Sequence, residues 1–176
     1  MNKYIIYTDG SYCSEDSFVH GGIVFINPAN MQVNACSHVK SENRHLYSMN
    51  NVGGEVLAAY SAILSVISLH EEALSKGMKL EIEIHHDYEG ISKWYTQEWR
   101  AKKPATQWYV RELQAMNKKY PGLTLKFVWV KGHSGEIGNE TADKVSFWDE
   151  QYCKDFGVHI INMDSVLNRD PSIGAG

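Results

Sequence analysis

Alternating apolar and polar positions mark the first strands of the chain. Lys3–Thr8, Gly22–Asn27 and Met31–Val39 read as strands, the last two joined across Pro28-Ala29-Asn30, a short turn of the hairpin kind. A polar stretch from Lys40 to Asn51 leads into Gly53-Gly54-Glu55. From there Val56, Leu57, Ala59, Tyr60, Ile63, Leu64, Ile67 and Leu69 recur at helical spacing, and Gly77 closes the segment. Lys79–His85 reads as a fourth strand, with Leu80, Ile82 and Ile84 alternating against Glu81, Glu83 and His85.

A helix after Asp87 runs through Ile91, Trp94 and Tyr95 and is interrupted at Ala101-Lys102-Lys103-Pro104, since proline disfavours helix in the residue before it. Thr106 to Tyr120 predicts the next helix, stopped by Pro121-Gly122. Leu125 to Val130 alternates like a buried strand. A final helix opening near Glu136 places Asp143 on an inner face beside Ala142 and Ser146. The order is β-β-β-α-β-α-α-β-α, with no internal repeat. Residues 1–156 form the expected domain, and residues 157–176 read as a peripheral tail packed in part by Val158, Ile160 and Ile161.

Composition adds bounds to that picture. A chain of 176 residues with 43% hydrophobic content supports one domain with a real core. No apolar run reads as long enough to span a bilayer, and the start lacks the apolar region of a signal peptide, so a cytoplasmic monomer with no membrane partner is expected. Cys13, Cys36 and Cys153 are odd in number and lack close spacing, which points to reduced thiols and not to a disulfide framework or a zinc site. The net charge of −4 argues against a polyanionic partner until its distribution is considered. Residues 93–131 carry nine basic side chains against two acidic ones, a net of +7 that leaves −11 on the rest of the chain. Such asymmetry focuses a positive field on one part of an acidic molecule.

Four carboxylates stand at the ends of predicted elements. Asp9 closes the first strand, ahead of Gly10; Glu55 opens the longest helix; Asp87 follows the fourth strand; Asp143 lies within the last helix. Singly, each has an ordinary explanation as a turn former, an acid at a helix start or an N-cap. Together they do not share one. Carboxylates brought close repel, and burying one alone is costly, whereas hard divalent ions such as magnesium or manganese resolve both problems through oxygen coordination. Two such ions about 3.5–4 Å apart support phosphodiester cleavage. His133, flanked by Gly132 and Gly135, follows the end of the last strand, ten residues before Asp143.

The motifs Thr8-Asp9-Gly10-Ser11, Asn51-Val52-Gly53-Gly54-Glu55, His86-Asp87-Tyr88 and Gly132-His133-Ser134-Gly135, continuing through Asn139-Glu140 to Ala142-Asp143, resemble the type 1 ribonuclease H family over about residues 3–150. The resemblance implies an α/β fold with a five-stranded mixed sheet, ordered 3-2-1-4-5 and flanked by helices. It also implies an endonuclease that hydrolyses the RNA strand of RNA–DNA hybrids, leaving 5′-phosphate and 3′-hydroxyl ends. Asp9, Glu55, Asp87 and Asp143 are implied to bind two Mg2+ ions, with Asp9 bridging and Mn2+ as a substitute. His133 is implied to assist at the leaving group or in product release. Asn51, with Asn50, matches the family's minor-groove asparagine; Ser11 and Tyr12 lie where the RNA strand approaches, and Asn139 is expected to orient the site or the substrate. Trp94, Trp99, Arg100, Lys102, Lys103 and Trp108 resemble the family's basic handle for the DNA strand, although Trp94 and Trp108 also read as core residues of amphipathic helices.

Some positions depart from the family pattern. Tyr12-Cys13-Ser14-Glu15-Asp16-Ser17-Phe18 replaces an Asn-Pro-Gly loop and sets two acids where nucleic acid would pass, and Tyr88-Glu89 replaces a common Ser-Gln. A proofreading exonuclease on a similar fold would carry Asp-x-Glu on the first strand, but position 11 is serine. A recombinase or transposase nuclease would lack the Gly-His-x-Gly to Ala-Asp run. A silent hybrid-binding domain has no support while all four carboxylates and His133 are present.

Overall fold

The computed structural model of the protein describes residues 2–174. In chain order its elements are β1 (Asn2–Cys13), β2 (Phe18–Ile26), β3 (Val33–Ser41), α1 (Arg44–Tyr47), α2 (Asn51–Leu69), α3 (Glu71–Ser75) and β4 (Leu80–His86). There follow α4 (Gly90–Tyr95), α5 (Pro104–Lys119), β5 (Leu123–Trp129), α6 (Ile137–Ser146), α7 (Glu150–Asp155), β6 (His159–Asn162) and α8 (Asp164–Leu167). One mixed sheet runs β5-β4-β1-β2-β3-β6. The first three strands form an antiparallel meander, and β4 and β5 add in parallel to the β1 side. The expected order 3-2-1-4-5 is therefore present, extended by β6 lying parallel to β3.

Period-two alternation along β1 divides the core between the two sheet faces. Ile6 joins Leu57, Ile63, Ile82, Ile84, Trp108 and Leu113 in the larger cluster, built on α2 and α5. Ile5 and Tyr7 point the other way and pack with Val24, Ile26, Val130 and Ala142 beneath α6. Helix α2 is apolar nearly all round. An 18-residue window of its 19 residues has a mean hydropathy of 1.7, long and apolar enough by composition to cross a bilayer, contrary to the sequence reading. That apolarity serves the core, since 72% of the span is buried inside the fold.

Other boundaries differ from the expected ones for identifiable reasons. Strand β1 does not end at Asp9, because β2 begins at Phe18 and continues to pair with it through Cys13. The parallel partner β4 stops earlier, at the pair Tyr7↔His85. Asp9 thus lies inside a strand but just beyond the point where one of its two neighbours ends. Helix α2 starts four residues before Glu55, so Glu55 is not in the first turn and the helix dipole does not account for it. Asp87 does not cap α4, whose N-cap is Glu89.

The segment after Gly157 is integrated into the structure. Val158 is buried as expected, but Ile160 and Ile161 stand exposed on β6, while Met163, Leu167 and Ile173 enter the main core. The Asn43 side-chain amide donates to the Ile173 carbonyl, and Ser41 Oγ donates to Asp164. Ala175 and Gly176, the end of the expected tail, lie outside the described residues. All three cysteines are free thiols.

Candidate active site

Two close backbone approaches build the site. A Cβ on Gly10 would lie 2.0 Å from the Glu55 nitrogen, so only glycine lets α2 touch β1 there and set Glu55 against Asp9. A Cβ on Gly22 would lie 2.1 Å from the Ala142 carbonyl oxygen, so α6 rests directly on β2 next to Asp143. Asp9 pairs with Gly22 across β1 and β2, which puts both approaches at the same level of the sheet.

Asp87 arrives from β4. Its backbone is held by the Trp129 indole N–H, which donates to the Asp87 carbonyl at 3.0 Å, and the Val130 N–H donates to the His86 carbonyl at 2.8 Å. The buried His86 contributes through its own tautomer: Nδ1–H donates to the Tyr88 carbonyl and fastens the turn that carries Asp87. Burial pulls the His86 pKa down to about 4, so the ring stays neutral. Neither role was read from the sequence. Trp129 sat within an apolar run, and its signal is that it remains 54% exposed at the strand end.

Asp9, Glu55 and Asp87 each present a carboxylate oxygen within 4.8 Å of the other two. Asp143, half-buried on α6, is not part of that mutually close trio but lies near enough to raise the carboxyl of Asp9 and, by its charge, that of Asp87. The electrostatic cost appears in the titration behaviour. Burial pushes the Asp9 carboxyl up to about 7; Asp87 and Asp143 add to the rise, while bonds from Glu55 and the Gly10 N–H oppose it. Glu55 is driven well above the carboxylate range by burial and then by Asp9. Asp87 rises for the same first reason, with Asp143 adding and Glu55 and His133 opposing.

This donor set fits a hard divalent cation. The oxygens are hard donors with mutually repelling charge, and Glu55 Oε2 is buried with no hydrogen-bond partner. His133 is exposed on the loop between β5 and α6 with φ 57°, and the loop passes close to Asp87, since a Cβ on Gly132 would lie 3.5 Å from Asp87 Oδ2.

Comparison with known proteins assigns the chain to a family. The RNase H family model matches residues 1–147. The chain belongs to the RNase H family. It is similar to the Ribonuclease H of Nitrosomonas eutropha, 28% identical over 163 residues, covering 83% of this chain and 88% of the relative. The Ribonuclease H of Ruthia magnifica is 29% identical over 151 residues, covering 83% and 94%. Among solved structures, LC11-RNase H1 in complex with an RNA/DNA hybrid matches with TM-score 0.61 at 17% identity, over 83% of this chain and 98% of that one. RNase H1 from Halobacterium salinarum matches with TM-score 0.57 at 17% identity, over 83% and 96%. Membership of the RNase H family makes the protein a nuclease.

The expected substrate contacts divide into two groups. Asn51 is exposed at the start of α2, next to Asn50 with φ 55°, and Tyr12 is half-buried against Tyr47. Trp99, Arg100, Lys102 and Lys103 are exposed. Arg100, Lys102 and Lys103 line a cavity of about 300 Å³ with Met49, Val52, Tyr88, Trp94 and Thr106.

Four other side chains are turned into the fold. Ser11 shares the α6-facing side of β1 with Asp9, and its hydroxyl donates to the Ser146 carbonyl at 3.1 Å. Trp94 lies on the buried stripe of α4 with Ile91 and packs edge-on against Trp99, and Trp108 is a core residue. Asn139 is buried at helical spacing with Ala142 and Ser146. Of these, Trp94 still lines the cavity beside Arg100, Lys102 and Lys103, while Ser11, Trp108 and Asn139 are buried. Of the two acids in the altered loop, Asp16 is engaged internally, accepting from the Phe18 N–H at 2.9 Å and contacting His20 Nε2 at 2.7 Å.

Proposed function

We propose that this RNase H family member is an endoribonuclease that hydrolyses the RNA strand of RNA–DNA hybrids. The observation that carries the reading is the convergence of Asp9, Glu55 and Asp87, with Asp143 beside them, at a point where Glu55 keeps a buried oxygen unpartnered. The relative solved with an RNA/DNA hybrid supports the choice of substrate.

Asp9, Glu55, Asp87 and Asp143 would hold two Mg2+ ions, with Mn2+ able to substitute. Bound there, the ions supply an activated water and stabilise the departing 3′-oxygen. The residues of the chain do the rest. His133, exposed on its loop, delivers a proton to that oxygen or helps the product leave. Asn51 reads the minor groove from the start of α2, where 2′-hydroxyls distinguish RNA from DNA. Arg100, Lys102 and Lys103 neutralise phosphates of the DNA strand, and Trp99 offers a face to its sugars or bases. These contacts address sugar and phosphate, so cleavage is indifferent to base sequence.

The test is a panel of end-labelled duplexes in Mg2+, Mn2+ or EDTA. The reading requires divalent-dependent cutting of the hybrid's RNA strand to products with 5′-phosphate and 3′-hydroxyl ends. Cutting of duplex DNA, or hybrid binding without cutting, would overturn it.

A further inference from the structure

Successive residues on one side of β1 grip α6 along its whole length. Tyr7, Asp9 and Ser11 project to the same face. The Tyr7 hydroxyl donates to Glu136, the N-cap residue of α6. Asp9 meets Asp143 in the body of the helix, and Ser11 Oγ donates to the carbonyl of Ser146, its last residue. The metal-site contact therefore lies between two hydrogen-bonded clamps, one at each end of the helix.

The Tyr7 clamp is unusually well determined. Its ring lies against α6 so closely that a Cβ on Gly138 would come within 2.4 Å of it. On its other side it packs on His85, with ring centroids 4.5 Å apart. Tyr7 is 4% exposed, and burial followed by the Glu136 carboxylate holds its phenol far above the usual range, so the hydroxyl remains a donor. Glu136 is also where the His133 loop ends. That loop is fixed at its start by the Val130–His86 bond and turns through positive φ at His133 (57°) and Gly135 (88°) before reaching Glu136.

We propose that Tyr7, acting through Glu136, is a positioning residue that sets the axial place of α6 and the span of the His133 loop, and so aligns Asp143 and His133 with the carboxylate cluster. It touches no reacting atom. Its effect passes to chemistry through Asp143 and His133, whereas hybrid affinity depends on the basic segment elsewhere. The inference rests on the proposed function, and one arm of its test does not.

The variants are Tyr7→Phe, which keeps the ring and removes the hydroxyl, Glu136→Ala, Glu136→Gln, which keeps an acceptor, and the double variant Tyr7→Phe/Glu136→Ala. Steady-state hybrid cleavage and calorimetric titration of the substrate-free full chain with Mn2+ are measured for each, with Tm as a control for folding. Tyr7→Phe and Glu136→Ala should each lower kcat roughly tenfold with KM nearly unchanged and weaken Mn2+ binding, the loss expected of slight misplacement. The double variant should be no worse than either single one, because both remove the same bond. Glu136→Gln should stay close to the wild type. Multiplying effects in the double variant, wild-type kcat and Mn2+ affinity in Tyr7→Phe, or a Glu136→Gln as impaired as Glu136→Ala would each overturn the proposal. A wild-type chain inactive on hybrid would overturn the functional reading, and the Mn2+ titration would still decide the clamp.

Discussion

Replacing Asp9 with asparagine should stabilise the metal-free protein while abolishing its activity. Asp9 is 6% exposed, and its carboxyl is raised from 3.8 to about 7 by burial and then by Asp87 and Asp143. The folded state thus binds the Asp9 proton more tightly than the unfolded chain does. Stability from this residue is greatest below the unfolded value and is lost as pH rises through the folded one. A shift from 3.8 to about 7 corresponds to about 4 kcal/mol of penalty above pH 7. The amide substitute keeps an oxygen to accept the Gly10 N–H but still has to be buried, which returns part of the gain. The net expectation at pH 8 is about 2–3 kcal/mol, or a Tm rise of roughly 4–12 °C for a chain of this size.

The assay is urea unfolding of wild type and Asp9→Asn in EDTA, at pH 8 and again near pH 4. The difference should be largest at pH 8 and should shrink through zero toward a slightly less stable variant near pH 4, where Asp9 is already protonated in the fold and only the amide's burial cost remains. Millimolar Mg2+ at pH 8 should narrow it by stabilising the wild type alone, since a ligand that binds only the folded state adds to its stability. A variant less stable than wild type at pH 8 in EDTA, or a difference independent of pH, would refute the claim that like charge at this site opposes folding.

Three further outcomes follow from particular contacts. Neutralising Arg100, Lys102 and Lys103 together should raise KM for hybrid and flatten its logarithmic salt dependence by about 2–3 units, about one per lost phosphate contact; unchanged salt dependence would remove these residues from the interface. Gly22→Ala, whose Cβ would meet the Ala142 carbonyl oxygen at 2.1 Å, should push α6 off the sheet, cost about 3 kcal/mol in urea unfolding and lower cleavage along with stability. Ending the chain at residue 156 should destabilise it by at least about 3 kcal/mol, because Met163, Leu167 and Ile173 leave the core and burial contributes about 1.5–3 kcal/mol per large apolar side chain; a truncated chain with wild-type Tm would make the last segment dispensable.

The strand and helix order was legible because α2, β4 and β5 carry clear apolar patterns, but the first strand was read only to Thr8, so the face of β1 that Ser11 shares with Tyr7 and Asp9 was not. Nor did alternation alone tell where that face pointed. The inward turn of Ser11 depends on α6, which lies more than a hundred residues away in the sequence and reaches β2 only because Gly22 has no side chain. The convergence of Glu55 on Asp9 depends in the same way on Gly10. The tail was the least legible region. Its anchors are too few to show a period, since Met163 and Leu167 flank the single turn of α8 and Ile173 sits in a terminal turn. Trp94 and Asn139 were drawn toward the substrate by family pattern, while their helical spacing with Ile91 and with Ala142 pointed inward.

The central claim is that the cluster of Asp9, Glu55, Asp87 and Asp143 cuts RNA within a hybrid. The most direct measurement uses one hybrid labelled differently on each strand, incubated in Mg2+ with wild type and with each acid changed singly to its amide. The account predicts internal cleavage of the RNA strand alone by the wild type, and folded variants in which Asp9→Asn and Asp87→Asn have no turnover. Cleavage of the DNA strand, or undiminished RNA cleavage by Asp9→Asn, would contradict it.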